Sequence, residues 1–125
     1  MRGVALIMCK YQKQLDALSY DELRVFTLLE GLDPAERITG AMIMTRLGIR
    51  DRRHLYVLIE NIRKEGLPVI GGKQHSEKGY KIARTKSELK DYLKALQTTI
   101  NSQIRTMEAM QRFSDELFAG EGDIA

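Results

Sequence analysis

The sequence predicts a mainly α-helical domain with a small β-hairpin, followed by a long C-terminal helix. Three observations support this fold class. Residues 51–65 place aliphatic side chains at the i, i+3, i+4, i+7 spacing of one buried helical face: Leu55, Leu58, Ile59 and Ile62. Residues 67–83 contain two short β-like runs around a polar tip that glycines border on both sides. Residues 86–118 contain neither Gly nor Pro.

The length of 125 residues supports one domain with an appended helix. The net charge of +3 is modest, but its distribution is uneven. Residues 46–84 hold ten Lys or Arg against four acidic residues, an excess of six positive charges in the predicted helix-and-hairpin unit. This concentration of positive charge favours an anionic partner such as DNA.

The single cysteine, Cys9, excludes a disulfide within the chain and indicates a reducing compartment. The apolar run that precedes it is too short for the hydrophobic region of a signal peptide. No stretch approaches the roughly 18–20 apolar residues of a membrane span. We therefore expect a cytoplasmic protein.

Two helices are predicted before the central unit. Residues 4–18 carry one apolar stripe and would form an amphipathic helix that packs on the domain or, alternatively, docks elsewhere. Residues 19–32 begin with a capping box, Ser19 followed by Glu22, and end at Gly31 and Pro34. The inner face of this second helix is predicted to contain Leu23, Val25, Phe26 and Leu29.

A helix-turn-helix pattern comes next. Thr39 can cap a short helix that directs Met42 or Ile43, together with Leu47, inward. Gly48 allows a tight turn with Leu47 and Ile49 anchored on either side. Asp51 can cap the following helix, which Gly66 and Pro68 end, and the hairpin follows. Helix, tight turn, helix and hairpin form the order of a winged helix-turn-helix, in which Ile38 would pair with the hairpin.

The C-terminal helix begins with a second capping box, Thr85 followed by Glu88. Its seam positions follow alternating three- and four-residue steps, as in a coiled coil. At 1.5 Å rise per residue the helix would span about 45 Å, more than a small domain covers. We expect it to pair with a second copy in a homodimer, or alternatively to fold back on residues 4–18. The predicted dimerisation residues are Leu89, Leu93, Leu96, Ile100, Gln103, Met107, Met110 and Leu117.

These patterns divide the chain into four segments. Residues 1–19 form an N-terminal helix, residues 20–84 the winged-helix domain, residues 85–119 the dimerisation helix, and residues 120–125 a disordered acidic tail.

The blocks Ile38-Thr39-Gly40, Leu47-Gly48-Ile49, residues 63–70 (RKEGLPVI) and residues 78–82 (KGYKI) resemble winged-helix DNA-binding domains of the DeoR and biotin-repressor type. The chain also resembles small proteins of phages and prophages of Gram-positive bacteria. The resemblance covers residues 20–84 and implies DNA binding. Arg50 and Asp51 stand where the family usually has Ser or Thr, and the effector or enzymatic domain of the larger members is absent, so no effector or biotin chemistry carries over.

A recognition helix at residues 51–65 would read base edges in the major groove with residues near its N-terminus. Arg52 and Arg53 can pair with guanine, whereas Arg50 and Arg46 can contact the DNA backbone. Tyr56 could contact a thymine methyl group or a phosphate. Lys73, His75 and Lys78 on the wing, residues 71–79, suit phosphate or the minor groove. The alternative is that these side chains form only a solvated basic face.

No pattern indicates catalysis. His54 and His75 lack zinc-ligand spacing, and Gly71-Gly72-Lys73 lacks the spacing of a phosphate-binding loop. We expect no enzymatic activity, cofactor, metal, small-molecule ligand or membrane contact.

The first functional hypothesis is a small dimeric protein that binds double-stranded DNA at specific sequences, as a phage or prophage transcriptional regulator or a replication-origin binder. The alternative is a non-catalytic interaction or scaffold module, such as a phage replication or packaging accessory.

Overall fold

The computed structural model describes residues 11–72 and 79–120. The elements in this part of the chain are α1 (Gln12–Asp16), α2 (Tyr20–Glu30), α3 (Gly40–Leu47), α4 (Arg52–Lys64), β1 (Val69–Gly71), β2 (Tyr80–Ile82) and α5 (Lys86–Leu117). This order confirms the predicted fold class, mainly α with a two-stranded hairpin and a long C-terminal helix.

The core forms where α2, α3 and α4 pack together beneath the hairpin. All four aliphatic residues predicted for the buried face of α4 are buried. In α2 the predicted Val25, Phe26 and Leu29 are buried, but the prediction for Leu23 is wrong, since that side chain is 37% exposed. The first turn of α2 meets α4 through Glu22 instead, which accepts a 3.0 Å hydrogen bond from the Asn61 amide.

The helix starts are those that the sequence predicts. Ser19 and Glu22 form a reciprocal capping box, with hydrogen bonds of 3.2 and 2.9 Å. Thr39 and Asp51 cap α3 and α4 by accepting from backbone N–H groups. Thr85 caps α5 by accepting from the N–H of Glu88, and the returning carboxylate of Glu88 accepts from the N–H of Arg84. These bonds satisfy N–H groups that helix starts leave unpaired.

The turn between α3 and α4 depends on Gly48, whose φ of 70° lies in the left-handed region that side chains disfavour. Leu47 and Ile49 are half-buried against the core on either side of it, as predicted. Of the two alternatives for the inward residue of α3, Ile43 is fully buried and Met42 is 45% exposed.

The hairpin pairs β1 with β2 in antiparallel register, with Val69 opposite Ile82. Ile38 forms the predicted bridge to this sheet by exchanging backbone hydrogen bonds of 3.0 and 2.7 Å with Tyr80. Glycine is required at Gly71, because a Cβ there would lie 2.1 Å from the Gly79 carbonyl oxygen. Residues 73–78 of the predicted polar tip lie outside the described residues.

Of the N-terminal helix predicted for residues 4–18, the structure describes residues 11–18, which include α1. Leu15 of α1 is buried in the core, and the flanking Tyr11 and Leu18 pack against it. The preceding residues, and residues 121–125 of the predicted disordered tail, lie outside the described chain.

Among the described residues, the long helix α5 packs on the domain through its first half. Tyr92 is buried, while residues 101–113 are exposed on every face. Among the described residues, no helix combines the length and the apolar character that crossing a membrane requires.

Candidate nucleic-acid interface

Four exposed arginines surround the start of α4. Arg46 lies in the last turn of α3, Arg50 follows the Gly48 turn, and Arg52 and Arg53 begin α4. We call these four residues the basic end of α4. Burial of the opposite face of α4 sets the rotation of the helix about its axis, so its first turn presents arginines to solvent.

The turn beneath the basic end is held from α2. Arg24 donates a 2.8 Å hydrogen bond to the Leu47 carbonyl oxygen, a group that the end of α3 would otherwise leave unpaired. The Asp21 carboxylate lies 3.6 Å from Nη1 of Arg24 and 3.9 Å from Nε2 of His54, so its charge is directed at those side chains. The helix-turn-helix is therefore held by a side chain from a third helix.

Asp51 is an acidic residue that lies between the arginines of the basic end. Its carboxylate accepts a 3.0 Å hydrogen bond from the N–H of Arg53 and so acts as the helix cap. The start of a helix carries a partial positive charge from its aligned peptide dipoles. The exposed arginines thus lie where the backbone itself favours anions.

The next turn of α4 continues the exposed surface with Tyr56, 37% exposed, and Val57, 50% exposed. His54 is exposed between them and the arginines. Val57 and His54 are not among the surface residues predicted from the sequence. The signal was available, because both occupy outward positions of the same helical periodicity whose inward positions are Leu55 and Leu58.

Three basic residues counted in the positive excess have internal roles instead. Arg63 donates from Nε to the Val69 carbonyl oxygen at 2.9 Å and from Nη2 to that of Gly71 at 3.0 Å. Its guanidinium also lies 5.2 Å from the ring centroid of Tyr92. Arg63 therefore joins the end of α4 to β1 and α5.

Lys81 lies between two inward residues of β2, so the alternation of a strand would direct its side chain to solvent. It is nevertheless only 7% exposed. Its Nζ donates to the Pro34 carbonyl oxygen and to the Glu88 carboxylate, each at 2.5 Å. Burial alone would raise the pKa of Glu88, but the hydrogen bonds from Lys81 and from backbone N–H groups outweigh it and lower the pKa. This pair ties the hairpin to the start of α5.

Arg84 pairs with Glu30, whose side chain is fully buried at the end of α2. Arg84 also donates to the carbonyl oxygens of Glu30 at 2.9 Å and Leu32 at 3.3 Å. Burial raises the pKa of Glu30, and the hydrogen bond and charge of Arg84 oppose that rise. Arg84 therefore stabilises a buried carboxylate and does not add to an external positive surface.

The predicted dimerisation residues divide into two groups. Leu89 and Leu96 are half-buried beside the domain. The other six are exposed in the single chain: Leu93, Ile100, Gln103, Met107, Met110 and Leu117. Tyr92 is not among the predicted residues, although it lies beside the predicted seam and is only 5% exposed.

The wing residues Lys73, His75 and Lys78 fall in the segment that the structure does not describe. Within residues 11–72 and 79–120, no group of three or more His, Cys, Asp or Glu side chains is placed to hold a metal ion.

Comparisons with protein families, with curated proteins and with solved structures find no match to this chain.

Proposed function

We propose that the chain is a sequence-specific double-stranded DNA-binding protein that acts as a dimer, with α4 as its recognition helix. The observation that carries this proposal is the basic end of α4, four exposed arginines around the start of a helix whose opposite face is buried. A helix with this distribution of side chains enters the major groove of DNA with its N-terminal turn against the bases.

Arg52 and Arg53 would pair bidentately with guanine O6 and N7, each contact contributing about 1–3 kcal/mol of discrimination. Arg50 and Arg46 would contact phosphates on either side, which positions the helix without reading sequence. Tyr56 would contact a thymine methyl group or a phosphate one turn further along. In this proposal Lys73, His75 and Lys78 of the wing add backbone or minor-groove contacts.

The biological role we infer is that of a small cytoplasmic regulator of phage or prophage type, without catalytic activity. The support for this role is the sequence resemblance to winged-helix domains of the DeoR and biotin-repressor type, together with the order of helix, turn, helix and hairpin. Pairing of two chains through α5 would join two modest half-site affinities into one higher affinity.

Fluorescence anisotropy with random-sequence duplex DNA at several salt concentrations tests the DNA-binding proposal. The affinity should fall log-linearly with salt, with a slope of about −0.9 for each phosphate contacted. Arg52→Ala with Arg53→Ala should remove sequence preference in a subsequent site selection.

The matched control is Arg105→Ala with Arg112→Ala, which removes the same charge from exposed positions on α5. This control should leave binding nearly unchanged. Absence of duplex binding at low salt, or equal losses in both double variants, would overturn the proposal.

A second candidate function, a protein-interaction or scaffold module, is favoured by the exposed apolar side chains along residues 100–118. A dimer interface would account for the same side chains. The two functions are separated by the anisotropy experiment, since a scaffold module would not bind random duplex in a salt-dependent way.

A further inference from the structure

An open groove lies between the end of α4, the residues that lead into β1, and the first half of α5. Its volume is about 420 Å³. We call it the α4/α5 groove and define it by Lys64, Pro68, Leu89, Leu93 and Leu96. The half-buried and exposed leucines of α5 form its apolar side, so this surface of the single chain is incompletely covered.

The second half of α5, residues 101–117, carries a broad apolar face. Six large apolar side chains at or just beyond this half are between 43% and 69% exposed: Ile104, Met107, Met110, Phe113, Leu117 and Phe118. Ile104, Phe113 and Phe118 lie beside the predicted seam and widen it. Two-stranded coiled coils need only a narrow seam, whereas a wider apolar face packs on more than one element.

We propose that the two long helices of the dimer run antiparallel, so that the second half of each α5 lies along the first half of the partner's α5 and covers the partner's α4/α5 groove. This inference rests on the proposed pairing through α5 and specifies its direction. In this arrangement the broad face meets two surfaces, a helix and a groove. In a parallel pair the broad face would meet only its own equivalent, and each groove would face the partner's groove.

The charges beside the seam favour the same direction. Lys94, Glu108 and Asp115 occupy the same heptad position, and Lys90 precedes Lys94 by one turn, so all four lie on one flank. In an antiparallel pair each flank meets the same flank of the other helix, and the lysines of one chain approach the acids of the other. Because opposite flanks meet in a parallel pair, this complementarity would be lost there.

The direction of pairing also sets the spacing of the two domains. Pairing Lys94 with Glu108 places the two-fold axis near residue 101, so the buried Tyr92 anchors lie about 27 Å apart at 1.5 Å rise per residue. Successive half-sites on one face of DNA lie about 34–36 Å apart. At about 27 Å the Tyr92 anchors are closer together than one turn of DNA, so the dimer reaches successive half-sites with its recognition helices farther from the two-fold axis than Tyr92.

Spin-label distances measured without DNA test the direction of pairing. In a Cys9→Ser background, Ser102→Cys and Glu116→Cys each place one label on an exposed position of α5. The antiparallel dimer should give less than about 20 Å between labels at residue 102 and about 45 Å between labels at residue 116. Short distances at both positions would indicate a parallel pair and would overturn the proposal.

Absence of dipolar coupling together with a monomeric sedimentation coefficient would also overturn it. Neither result bears on whether a single domain binds duplex DNA, because the anisotropy experiment measures that separately. The two proposals therefore fail in distinguishable ways.

Occupation of the groove is tested by Phe113→Glu, since Phe113 lies outside the narrow seam and is 63% exposed in the single chain. A carboxylate buried in an apolar contact is strongly unfavourable, so the dimer dissociation constant should rise at least about tenfold. The matched control is Tyr20→Glu on α2, where the side chain is 77% exposed. An unchanged dissociation constant for Phe113→Glu, with the helical content preserved, would contradict the proposal.

Discussion

The two ends of α4 carry the same kind of residue in opposite roles. At the first turn Arg52 and Arg53 are exposed, and burial of the opposite helix face orients them outward. At the last turn the side chain of Arg63 is 19% exposed and donates to two carbonyl oxygens of β1. The difference teaches that a basic residue becomes available to a partner only where the fold offers it no acceptor, which a count of charges does not reveal.

The largest effect is expected where an internal arginine pairs with a buried acid. Arg84→Ala leaves Glu30 fully buried without its partner, and loss of one member of a buried pair destabilises by about 3–5 kcal/mol. Chemical denaturation should show this loss in the free energy of unfolding. The double variant Glu30→Gln with Arg84→Met should recover much of it, because no unpaired charge remains. A loss below about 1 kcal/mol in the single variant would show that the pair contributes no more than a surface ion pair does.

The comparison within α4 is tested directly by matched substitutions. Arg63→Ala should lower the free energy of unfolding by about 2–3 kcal/mol, because two carbonyl oxygens lose a charged donor. Arg53→Ala, at the other end of the same helix, should change it by less than about 0.5 kcal/mol. Thermal or urea unfolding of both variants measures the difference. Equal losses would mean that the exposed arginine also has a structural role.

A smaller effect is expected from the ion pair between Lys81 and Glu88. The lowered pKa of Glu88 contributes stability that is present above the ordinary value of 4.5 and is lost as the pH falls through the lower folded value. Glu30 has a raised pKa and contributes in the opposite direction, with stability that is lost as the pH rises.

The difference between the wild type and Glu88→Gln isolates the Glu88 contribution. It should be about 1 kcal/mol near neutral pH and should shrink toward zero in acid, as measured by denaturation at a series of pH values. A difference independent of pH would show that the carboxylate charge does not stabilise the fold.

Much of the candidate site could be predicted because its determinants are local. The capping residues Ser19, Thr39, Asp51 and Thr85 act on N–H groups two or three residues away, so a short window of sequence contains both partners. The buried stripe of α4 repeats with the period of the helix, and the same period places Arg52 and Arg53 outward.

Other features depend on residues far apart in the chain. Ile43 is buried rather than Met42, and Glu22 contacts α4 rather than Leu23. Both outcomes follow from which face of each helix meets α4. Arg84 reaches Glu30 across 54 positions, and Lys81 reaches Pro34 across 47. No local pattern marks these pairs, because the periodicity of a strand or helix contains no information about its distant neighbour.

The sequence by itself therefore determined the succession of helices and strands, their starts and turns, and the exposed arginines of the first turn of α4, since short-range hydrogen bonds and hydrophobic periodicity govern all of these. Only the tertiary structure decided which charges are internal, that Tyr92 is buried against Arg63, and that a groove remains open beside α5. Those features arise where distant elements pack together, because burial and the supply of hydrogen-bond acceptors depend on the three-dimensional arrangement of the whole domain.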